Sequence, residues 1–240
     1  MTELVFRTDA YAREVEGRLL GLNARGGLVL DRTNFYATGG GQPGDRGTIE
    51  VEGFGPIEIA TTVYDDDKSI VHVPASPVSS LPEGAAVRAL IDWPARYRHM
   101  RIHTCLHLLC SLVPYPVTGG QIAADGGRLD FDIPEAGIAD KDQLTEQLMA
   151  LIAADHPVSE QWISDEELEA NPQMVRTMAV KPPMGTGRVR LVAIGDIDLQ
   201  PCGGTHVRST AEIGAVTVAK IEKKGRQNRR IRVSFVEDGV

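Results

Sequence analysis

The chain has 240 residues, of which 42% are hydrophobic and 24% charged, so it can bury one large core or two small ones. Its formal net charge of −8 excludes a protein that binds polyanions through its overall charge. The longest apolar stretch, LHLLCSLV, is far too short for a membrane span, and the three cysteines are too few for a disulfide framework. We therefore expect a reduced, cytoplasmic protein without a membrane partner.

Residues 1–93 are predicted to form a small β-barrel domain. Segments with alternating or continuous apolar residues follow one another here, for example GGLVLDRT and IEIATTVYD, and Gly, Asp and Pro turns separate them. Many short strands at this spacing are typical of a barrel.

Residues 94–240 are predicted to form a second domain that contains helices as well as strands. Apolar residues recur at helical spacing in ARYRHMRIHTCLHLLCSLV and in KDQLTEQLMALIAAD, and Ser164 is a suitable N-cap for SDEELEAN. RLDFDI, RVRLVAIG, AEIGAVTVAKIEK and RRIRVSFV have the pattern of strands. The predicted fold class is therefore α+β, with a two-layer arrangement in the second part.

Two residue pairs indicate a metal site. His103 and His107 are four residues apart on the first predicted helix, so their imidazoles leave the same face. Such a pair alone is more often structural, but Cys202 and His206 form a second pair in a glycine-rich turn. Two nitrogen ligands from a helix and a mixed sulfur and nitrogen pair from a loop favour zinc, with one ion per chain.

The metal pattern does not indicate a metalloprotease. The protease motif needs a glutamate directly after its first histidine, and that position is Thr104 here. Four protein ligands fill a tetrahedral zinc site, and closed sites are usually structural. Two roles stay open at this point: zinc activates water after one ligand loosens, or zinc only organises the site.

A glycine run near the N-terminus is the second candidate site. Gly39, Gly40 and Gly41 precede Gln42 in TNFYATGGGQPGDRG, and this run lacks the lysine of a phosphate-binding loop. Glycines allow positive φ angles or a close approach of the backbone to a ligand. A tight turn is the alternative, but Gln42 and the neighbouring Thr38 offer uncharged hydrogen-bonding groups.

Positive charge is concentrated in two short stretches of this acidic chain. RYRHMR supplies Arg96, Arg98 and Arg101, and KIEKKGRQNRR includes Arg229 and Arg230. These stretches are either solvated faces or local phosphate-binding surfaces of a nucleic-acid enzyme.

Four segments together resemble a known family. TNFYATGGGQPGDRG, HTCLHLL, RLDFDI and PCGGTHVRSTAEIG…RRIRV occur in the order found in the editing domain of alanyl-tRNA synthetases. Because the aminoacylation core is absent, the chain resembles AlaX, the freestanding form, in its medium-length type with the glycine-rich motif. The resemblance covers nearly all 240 residues. It implies a small β-barrel followed by a two-layer α/β editing domain of the type shared with threonyl-tRNA synthetases.

The resemblance also implies an activity and a partner. The expected enzyme is an aminoacyl-tRNA hydrolase that removes serine, and as a second candidate glycine, from tRNA(Ala). Its partner is the acceptor end of that tRNA rather than DNA, and the protein is a monomer or a weak dimer. A zinc-stabilised tRNA-binding protein without turnover and a deacylase of another mischarged tRNA are the alternatives.

Each candidate residue receives a role in this reading. Gln42 and Thr38 are the expected catalytic and serine-selecting residues. The expected metal ligands are His103, His107, Cys202 and His206. The expected contacts to substrate and tRNA are Gly39, Gly40, Gly41, Thr104, Arg96, Arg98, Arg101, Arg229 and Arg230.

Overall fold

A computed structural model describes residues 2–133, 140–175 and 187–236 of the chain. The contacts divide the chain into two compact units, residues 1–97 and 98–240. The predicted domain boundary between residues 93 and 94 falls at the start of the helix that contains this division, and it stays a prediction.

The described residues contain fifteen strands and three α-helices. The strands of the first unit are β1 (Glu3–Leu4), β2 (Glu14–Leu22), β3 (Leu28–Leu30), β4 (Arg32–Thr33), β5 (Gly47–Val51), β6 (Gly55–Tyr64), β7 (Ile70–Pro74) and β8 (Ala86–Ile91). The strands of the second unit are β9 (Val117–Ile122), β10 (Gly126–Asp132), β11 (Val158–Ile163), β12 (Val189–Ile194), β13 (Asp198–Pro201), β14 (Val216–Lys223) and β15 (Asn228–Phe235). The helices are α1 (Trp93–Leu112), α2 (Lys141–Ala153) and α3 (Asp165–Ala170).

The first unit is a closed six-stranded barrel in the order β2-β3-β7-β6-β5-β8. Its sequential neighbours pair antiparallel, for example β5 with β6 in the register Ile49↔Ile57. The barrel encloses a cluster of aliphatic side chains and one phenylalanine: Leu19, Leu28, Leu30, Phe35, Ile49, Val51, Ile59, Val87, Ala89 and Ile91. The small β-barrel predicted from the short apolar segments is therefore confirmed.

Helix α1 begins where the sequence predicts it. Asp92 precedes it and accepts a hydrogen bond from the backbone N–H of Ala95 at 3.1 Å, which caps the first turn. Farther along, α1 lies close to β10, because a side chain at Gly127 would come within 2.6 Å of Ile102 and 3.1 Å of Leu106. Glycine at this position allows the helix to pack directly on the strand.

The second unit combines a four-stranded antiparallel sheet, β14-β15-β10-β9, with helices on one face. Ile231 and Val233 of β15 are buried, whereas Arg230 and Arg232 alternate with them and face the opposite side. Helix α2 contacts β14, where the backbone N–H of Val218 donates to Thr145 Oγ1 at 3.0 Å. The combination of this unit with the barrel confirms the predicted α+β class.

A separate three-stranded sheet in the order β11-β12-β13 leads into the glycine-rich turn at Cys202. All six residues of β12 are buried, as expected for a central strand. Helix α3 follows β11 and has the predicted N-cap: Ser164 and Glu167 form a capping box. None of the described helices combines the length and apolar character of a membrane span.

Candidate metal centre and glycine-rich turn

Four predicted ligands come together in the second unit. The potential ligand atoms of His103, His107, Cys202 and His206 all lie within 4.8 Å of one another. The two α1 histidines are one turn apart, with ring centroids separated by 5.3 Å, and the ring of His206 lies 4.2 Å from that of His103. The structure thus brings the helical pair and the loop pair to one place.

The hydrogen bonds of two histidines direct their Nε2 atoms to the centre of the cluster. His107 Nδ1 donates to Asp198 Oδ2 at 3.0 Å, and His206 Nδ1 lies 3.1 Å from Thr104 Oγ1. A ring whose Nδ1 carries the proton presents a lone pair on Nε2, which is the form a metal binds. His206 Nε2 lies 3.2 Å from Cys202 Sγ, as expected for ligands of one ion.

The electrostatics of the cluster favour a thiolate. Burial by itself raises the pKa of the Cys202 thiol, but the charge of His103 and hydrogen bonds from His103 and His107 outweigh burial and lower this pKa well below its usual range. Burial and the charge of His103 lower the pKa of His206. Burial also opposes a charged His107, but hydrogen bonds to Asp198 and Cys202 raise the pKa of His107 to about 9.

The donor set and its spacing fit a tetrahedral zinc ion. Zinc–sulfur and zinc–nitrogen bonds of about 2.3 and 2.1 Å place sulfur and nitrogen about 3.6 Å apart. Cys202 Sγ lies 3.5 Å from His103 Nε2 and 3.2 Å from His206 Nε2. One soft sulfur and three imidazole nitrogens are ligands that zinc accepts. The described residues could thus hold a metal ion.

Thr104 lies in the interior of the second unit, beside the ligand His206. Its side chain is completely buried, and Thr104 Oγ1 donates to the backbone oxygen of Met100 at 3.0 Å. The same oxygen contacts His206 and accepts from the backbone N–H of Val207. The hydroxyl of Thr104 is committed to a ligand histidine and to backbone groups, and its role as a substrate contact stays a prediction.

The glycine run of the first unit forms a tight turn. The backbone groups of Gly39 and Gln42 exchange hydrogen bonds of 3.1 and 2.9 Å, and Gly40 and Gly41 between them have φ angles of 56° and 84°. Two successive positive φ angles are those of a type I′ turn, which favours glycine at both positions. The tight-turn alternative thus describes the backbone, and both central glycines are exposed at its tip.

Gln42 and Thr38 flank this turn in different environments. Gln42 is fully buried, whereas Thr38 is exposed. Thr38 Oγ1 donates to the backbone oxygen of Thr62 at 3.2 Å and accepts from the backbone N–H of Gly44 at 2.9 Å. A hydroxyl has one donor hydrogen and two acceptor positions, so Thr38 keeps one acceptor position for another donor. Both residues lie in the first unit and the four ligands in the second.

Arg96 is not available to a phosphate group. Its side chain is completely buried in the first unit, where it forms an ion pair with Asp45. It also donates to the backbone oxygens of Asn34 and Ala10 at 2.6 and 3.0 Å. The first turn of α1 places Arg96 inside the barrel unit, next to the end of the glycine-rich segment, so the structure gives no support to its role as a tRNA contact, which stays a prediction.

The other predicted tRNA-binding arginines have protein partners near the surface. Arg98 and Arg101 donate from Nε to the backbone oxygens of Ala124 and Ile213 at 2.6 and 2.8 Å, and both guanidinium groups lie over the ring of Phe235. Both are partly exposed. Their proposed role in tRNA binding stays a prediction.

Some cations of the basic C-terminal stretch form ion pairs within their own sheet. Arg230 forms two hydrogen bonds with Asp130 across the β10–β15 pair, at 2.7 and 2.8 Å. Arg229 donates to the backbone oxygen of Gly225 at 3.2 Å. Lys220, Lys224 and Arg232 all lie within 4 Å of one carboxylate, that of Glu222. The role of Arg229 and Arg230 in tRNA binding stays a prediction.

Asp198 is a site residue that the sequence analysis missed. It is 4% exposed, and its Oδ2 accepts hydrogen bonds from His107 and from Gln200. Within GDIDLQPC it looks like one more turn aspartate, and the only signal is its position four residues before Cys202. A carboxylate on the second nitrogen of a ligand histidine fixes the ring and raises its basicity.

Comparisons with known proteins agree with these features. Residues 12–95 match the family described as tRNA synthetases class II (A), and residues 189–232 match the threonyl and alanyl tRNA synthetase second additional domain. An alanyl-tRNA editing protein AlaX-M of Methanosarcina acetivorans is 34% identical over 99% of this chain and 100% of its own length. An alanyl-tRNA editing protein AlaX-L of Pyrococcus horikoshii is 33% identical over 96% of this chain and 57% of its own length.

A larger enzyme contains a similar segment. An alanine–tRNA ligase of Saccharolobus islandicus is 32% identical over 98% of this chain, which corresponds to 26% of the ligase. This chain and the Methanosarcina acetivorans protein are more than 30% identical over nearly the whole length of both, which is sufficient to assign a family. The chain therefore belongs to the alanyl-tRNA editing proteins, a family of hydrolases, as its motifs predict.

Proposed function

We propose that this protein hydrolyses the ester bond between a wrong amino acid and tRNA(Ala), with serine as its chief substrate and glycine as its second. The observation that carries the proposal is the convergence of three histidines and a cysteine within 4.8 Å. It occurs in a chain whose relatives of equal length are named alanyl-tRNA editing proteins.

Serine is a wrong amino acid that a synthetase site for alanine excludes only weakly, so a second enzyme is needed to remove it. A synthetase site for alanine rejects an amino acid with one added hydroxyl only by about a hundredfold. An editing site that hydrogen-bonds this hydroxyl has the opposite preference, because alanine leaves the polar groups of the site unpaired. Each unpaired group costs about 1–3 kcal/mol.

We assign the serine contact to Thr38 and Gln42. The one acceptor position that Thr38 Oγ1 has left suits the hydroxyl hydrogen of serine, and alanine has no such donor. The amide of Gln42 has both donors and acceptors, which suits a carbonyl oxygen or a water molecule at the ester. Gly40 and Gly41 are exposed and Gly39 is half-buried, which leaves the turn open to the approach of the substrate backbone.

We assign Zn²⁺ to the four-ligand cluster, one ion per chain. His103, His107, Cys202 and His206 would hold it, and when bound it supplies a Lewis acid and a fixed positive charge. Four protein ligands complete the tetrahedral shell of zinc, which leaves no open position for the substrate. We therefore assign the selection of serine to Thr38 and Gln42 and not to the metal. Asp198 and Thr104 hold the proton on Nδ1 of their ligand histidines.

The tRNA is expected to contact the second unit through its acceptor end. Arg98 and Arg101 are partly exposed near the start of α1, and acceptor stems are recognised mainly through shape and phosphates. We propose that the protein acts in the cytoplasm as a monomer or weak dimer and binds no DNA. Three free cysteines support a reducing compartment. We further propose residues 1–93 and 94–240 as its two domains.

The test is deacylation of tRNA(Ala) charged with serine, glycine or alanine. We expect rapid loss of serine, loss of glycine and retention of alanine, and loss of activity in the His103→Ala variant. Zinc-loaded, folded protein that binds tRNA(Ala) but removes none of the three would instead support a zinc-stabilised binding protein. Removal of another amino acid only from another tRNA would support a deacylase of that tRNA.

A further inference from the structure

Arg190 reaches from the central strand β12 to the loop that carries two of the metal ligands. Its side chain is buried, with 5% of the residue exposed. Nη1 donates to the backbone oxygens of Cys202 and Gly204, both at 2.9 Å. The backbone oxygen of Arg190 also accepts from the N–H of Cys202 at 3.1 Å. One residue thus contacts the ligand loop from both its backbone and its side chain.

These contacts fix the peptide groups around the thiolate. The two bonded oxygens belong to the peptides before Gly203 and after Gly204, so the peptide between the two glycines lies between two fixed neighbours. The N–H of this middle peptide, that of Gly204, points at Cys202 Sγ at 3.4 Å. A hydrogen bond from a backbone N–H stabilises the thiolate over the thiol.

The loop borders open space at Gly203. No described atom lies within 4 Å of the position where Gly203 would carry a side chain, so packing does not hold the loop there. Glycines also have the greatest backbone freedom of any residue. The planar guanidinium, which reaches two oxygens at once, supplies the constraint that the loop sequence lacks.

The charge of Arg190 is balanced by Glu160. Nη2 forms an ion pair with the carboxylate of Glu160 on the edge strand β11, directly across from β12. Arg190 Nε, however, has no hydrogen-bond partner among the described residues. Burying a guanidinium with one unpaired N–H costs free energy, so an apolar side chain would suit a purely structural position better.

We propose that Arg190 is a positioning residue for the metal site: it holds Cys202 and the following glycine turn in the conformation that binds the metal. The inference rests on the metal site of the proposed function and is independent of the substrate. Arg190 donates to the backbone oxygens of Cys202 and Gly204, so its effect is transmitted through the loop backbone. Its removal leaves two backbone oxygens without their donor and releases the Gly203–Gly204 peptide.

The test measures the affinity of the purified full chain for Zn²⁺ in competition with a chromophoric chelator. For Arg190→Met we expect a loss of affinity of about 10–100-fold, the size seen when groups that orient metal ligands are removed. Arg190→Lys keeps the charge but not the planar fork, and we expect an intermediate loss. Arg188→Met, at an exposed position two residues away, is the matched control and should bind zinc like the unchanged chain.

Two further measurements distinguish an effect on the metal ligands from an effect on the stability of the whole protein. The sulfur-to-metal charge-transfer band of the Co²⁺-loaded protein should weaken or shift in Arg190→Met and Arg190→Lys and stay unchanged in Arg188→Met. Thermal unfolding of the metal-free proteins shows which variants fold. Equal zinc affinity of folded Arg190→Lys, folded Arg190→Met and the unchanged chain would overturn the proposal, as would failure of the unchanged chain to bind zinc. Weakened zinc binding in a chain that deacylates no tRNA would support Arg190 and contradict only the proposed substrate.

Discussion

Thr104 Oγ1 lies 3.1 Å from His206 Nδ1, across 102 positions of sequence, and this contact fixes the proton on the histidine ring. The hydroxyl has one hydrogen, which it donates to the backbone oxygen of Met100 at 3.0 Å. It can therefore only accept from His206, so Nδ1 carries the proton and Nε2 is left for a metal. The residue directly after the first helical ligand thus orients the last ligand of the distant loop.

Replacement of Thr104 by valine should weaken metal binding more than folding. Valine has nearly the same shape but no acceptor, so His206 Nδ1 loses the oxygen that holds its ring. We expect the affinity for zinc to fall about 10–100-fold, measured by competition with a chelator. Thr104→Ser retains the hydroxyl and should stay within about threefold of the unchanged chain. Equal affinities for the valine and serine variants would show that Thr104 only fills space.

The spacing of residues predicts the four ligands because the two members of each ligand pair are close together in the sequence. His103 and His107 share a helix face at any tertiary arrangement, and Cys202 and His206 share one turn. The residues that support them are not local. Asp198 and Arg190 reach the site because β13 pairs with β12 and β12 pairs with β11. The register of these strand pairs cannot be predicted from the spacing of residues in the sequence.

The burial of Arg96 and the formation of strand β11 could not be predicted from the sequence, for the same physical reason. Arg96 belongs to a basic run that looks solvated, but the helix turns this one side chain toward a buried carboxylate. Strand β11 was not predicted, because VSEQWI forms an edge strand with mostly exposed side chains and lacks a continuous apolar run. In both cases the structure depends on a partner that is distant in sequence: the carboxylate of Asp45 for Arg96, and strand β12 for β11. The local sequence does not reveal either partner.

The ion pair between Arg96 and Asp45 should be essential for the stability of the first unit. Both side chains are almost completely buried, and Asp45 Oδ2 also accepts from the backbone N–H of Tyr36 at 2.5 Å. Arg96→Met leaves a buried carboxylate without its cation, which costs about 3–5 kcal/mol of unfolding free energy. Denaturation can be followed by the fluorescence of Trp93 after replacement of Trp162, the second of the two tryptophans, by phenylalanine.

An exposed ion pair of the same unit provides the control for Arg96. Arg46 contacts Asp92 at 2.7 Å, but 63% of its side chain is exposed. Arg46→Met should therefore lower the free energy of unfolding by no more than about 1 kcal/mol. Similar losses for Arg96→Met and Arg46→Met would contradict the structural role of the buried pair.

Gln42→Ala should reduce the removal of serine more than the binding of tRNA. If the amide contacts the reacting end of the substrate, its loss removes one or two hydrogen bonds and lowers kcat/KM for Ser-tRNA(Ala) by about tenfold or more. Phosphate and shape contacts elsewhere are unaffected, so the dissociation constant for uncharged tRNA(Ala) should stay within about twofold. Because Gln42 is buried, unfolding of the variant must be measured as well. Equal losses of catalysis and binding, or no loss of either, would remove Gln42 from the site.

His72 gives the barrel a dependence on pH that is independent of the metal site. The ring is completely buried, its Nδ1 lies 3.0 Å from the backbone oxygen of Leu28, and its Nε2 lies 2.8 Å from Thr33 Oγ1. The backbone N–H of Phe35 donates to the same threonine oxygen at 3.0 Å. A neutral ring that donates from Nδ1 and accepts at Nε2 satisfies all these groups, so protonation adds a buried charge without an acidic partner in these contacts. Burial accordingly lowers the pKa of His72 to about 4.

The free energy of unfolding of the barrel should fall as the pH decreases from about 6.5 to about 4. In the unfolded chain the pKa of a histidine is about 6.5, so below this pH the unfolded state binds a proton that the folded state refuses. The folded state takes up the proton only near pH 4, and the accumulated loss reaches about 3 kcal/mol. Chemical denaturation followed by Trp93 fluorescence in the Trp162→Phe chain measures this unit separately from the metal ligands. In the same background, His72→Gln cannot titrate and should have a flatter profile between pH 6.5 and 4, although its stability at pH 7 is lower. An unchanged slope in the glutamine variant would assign the pH dependence to other groups.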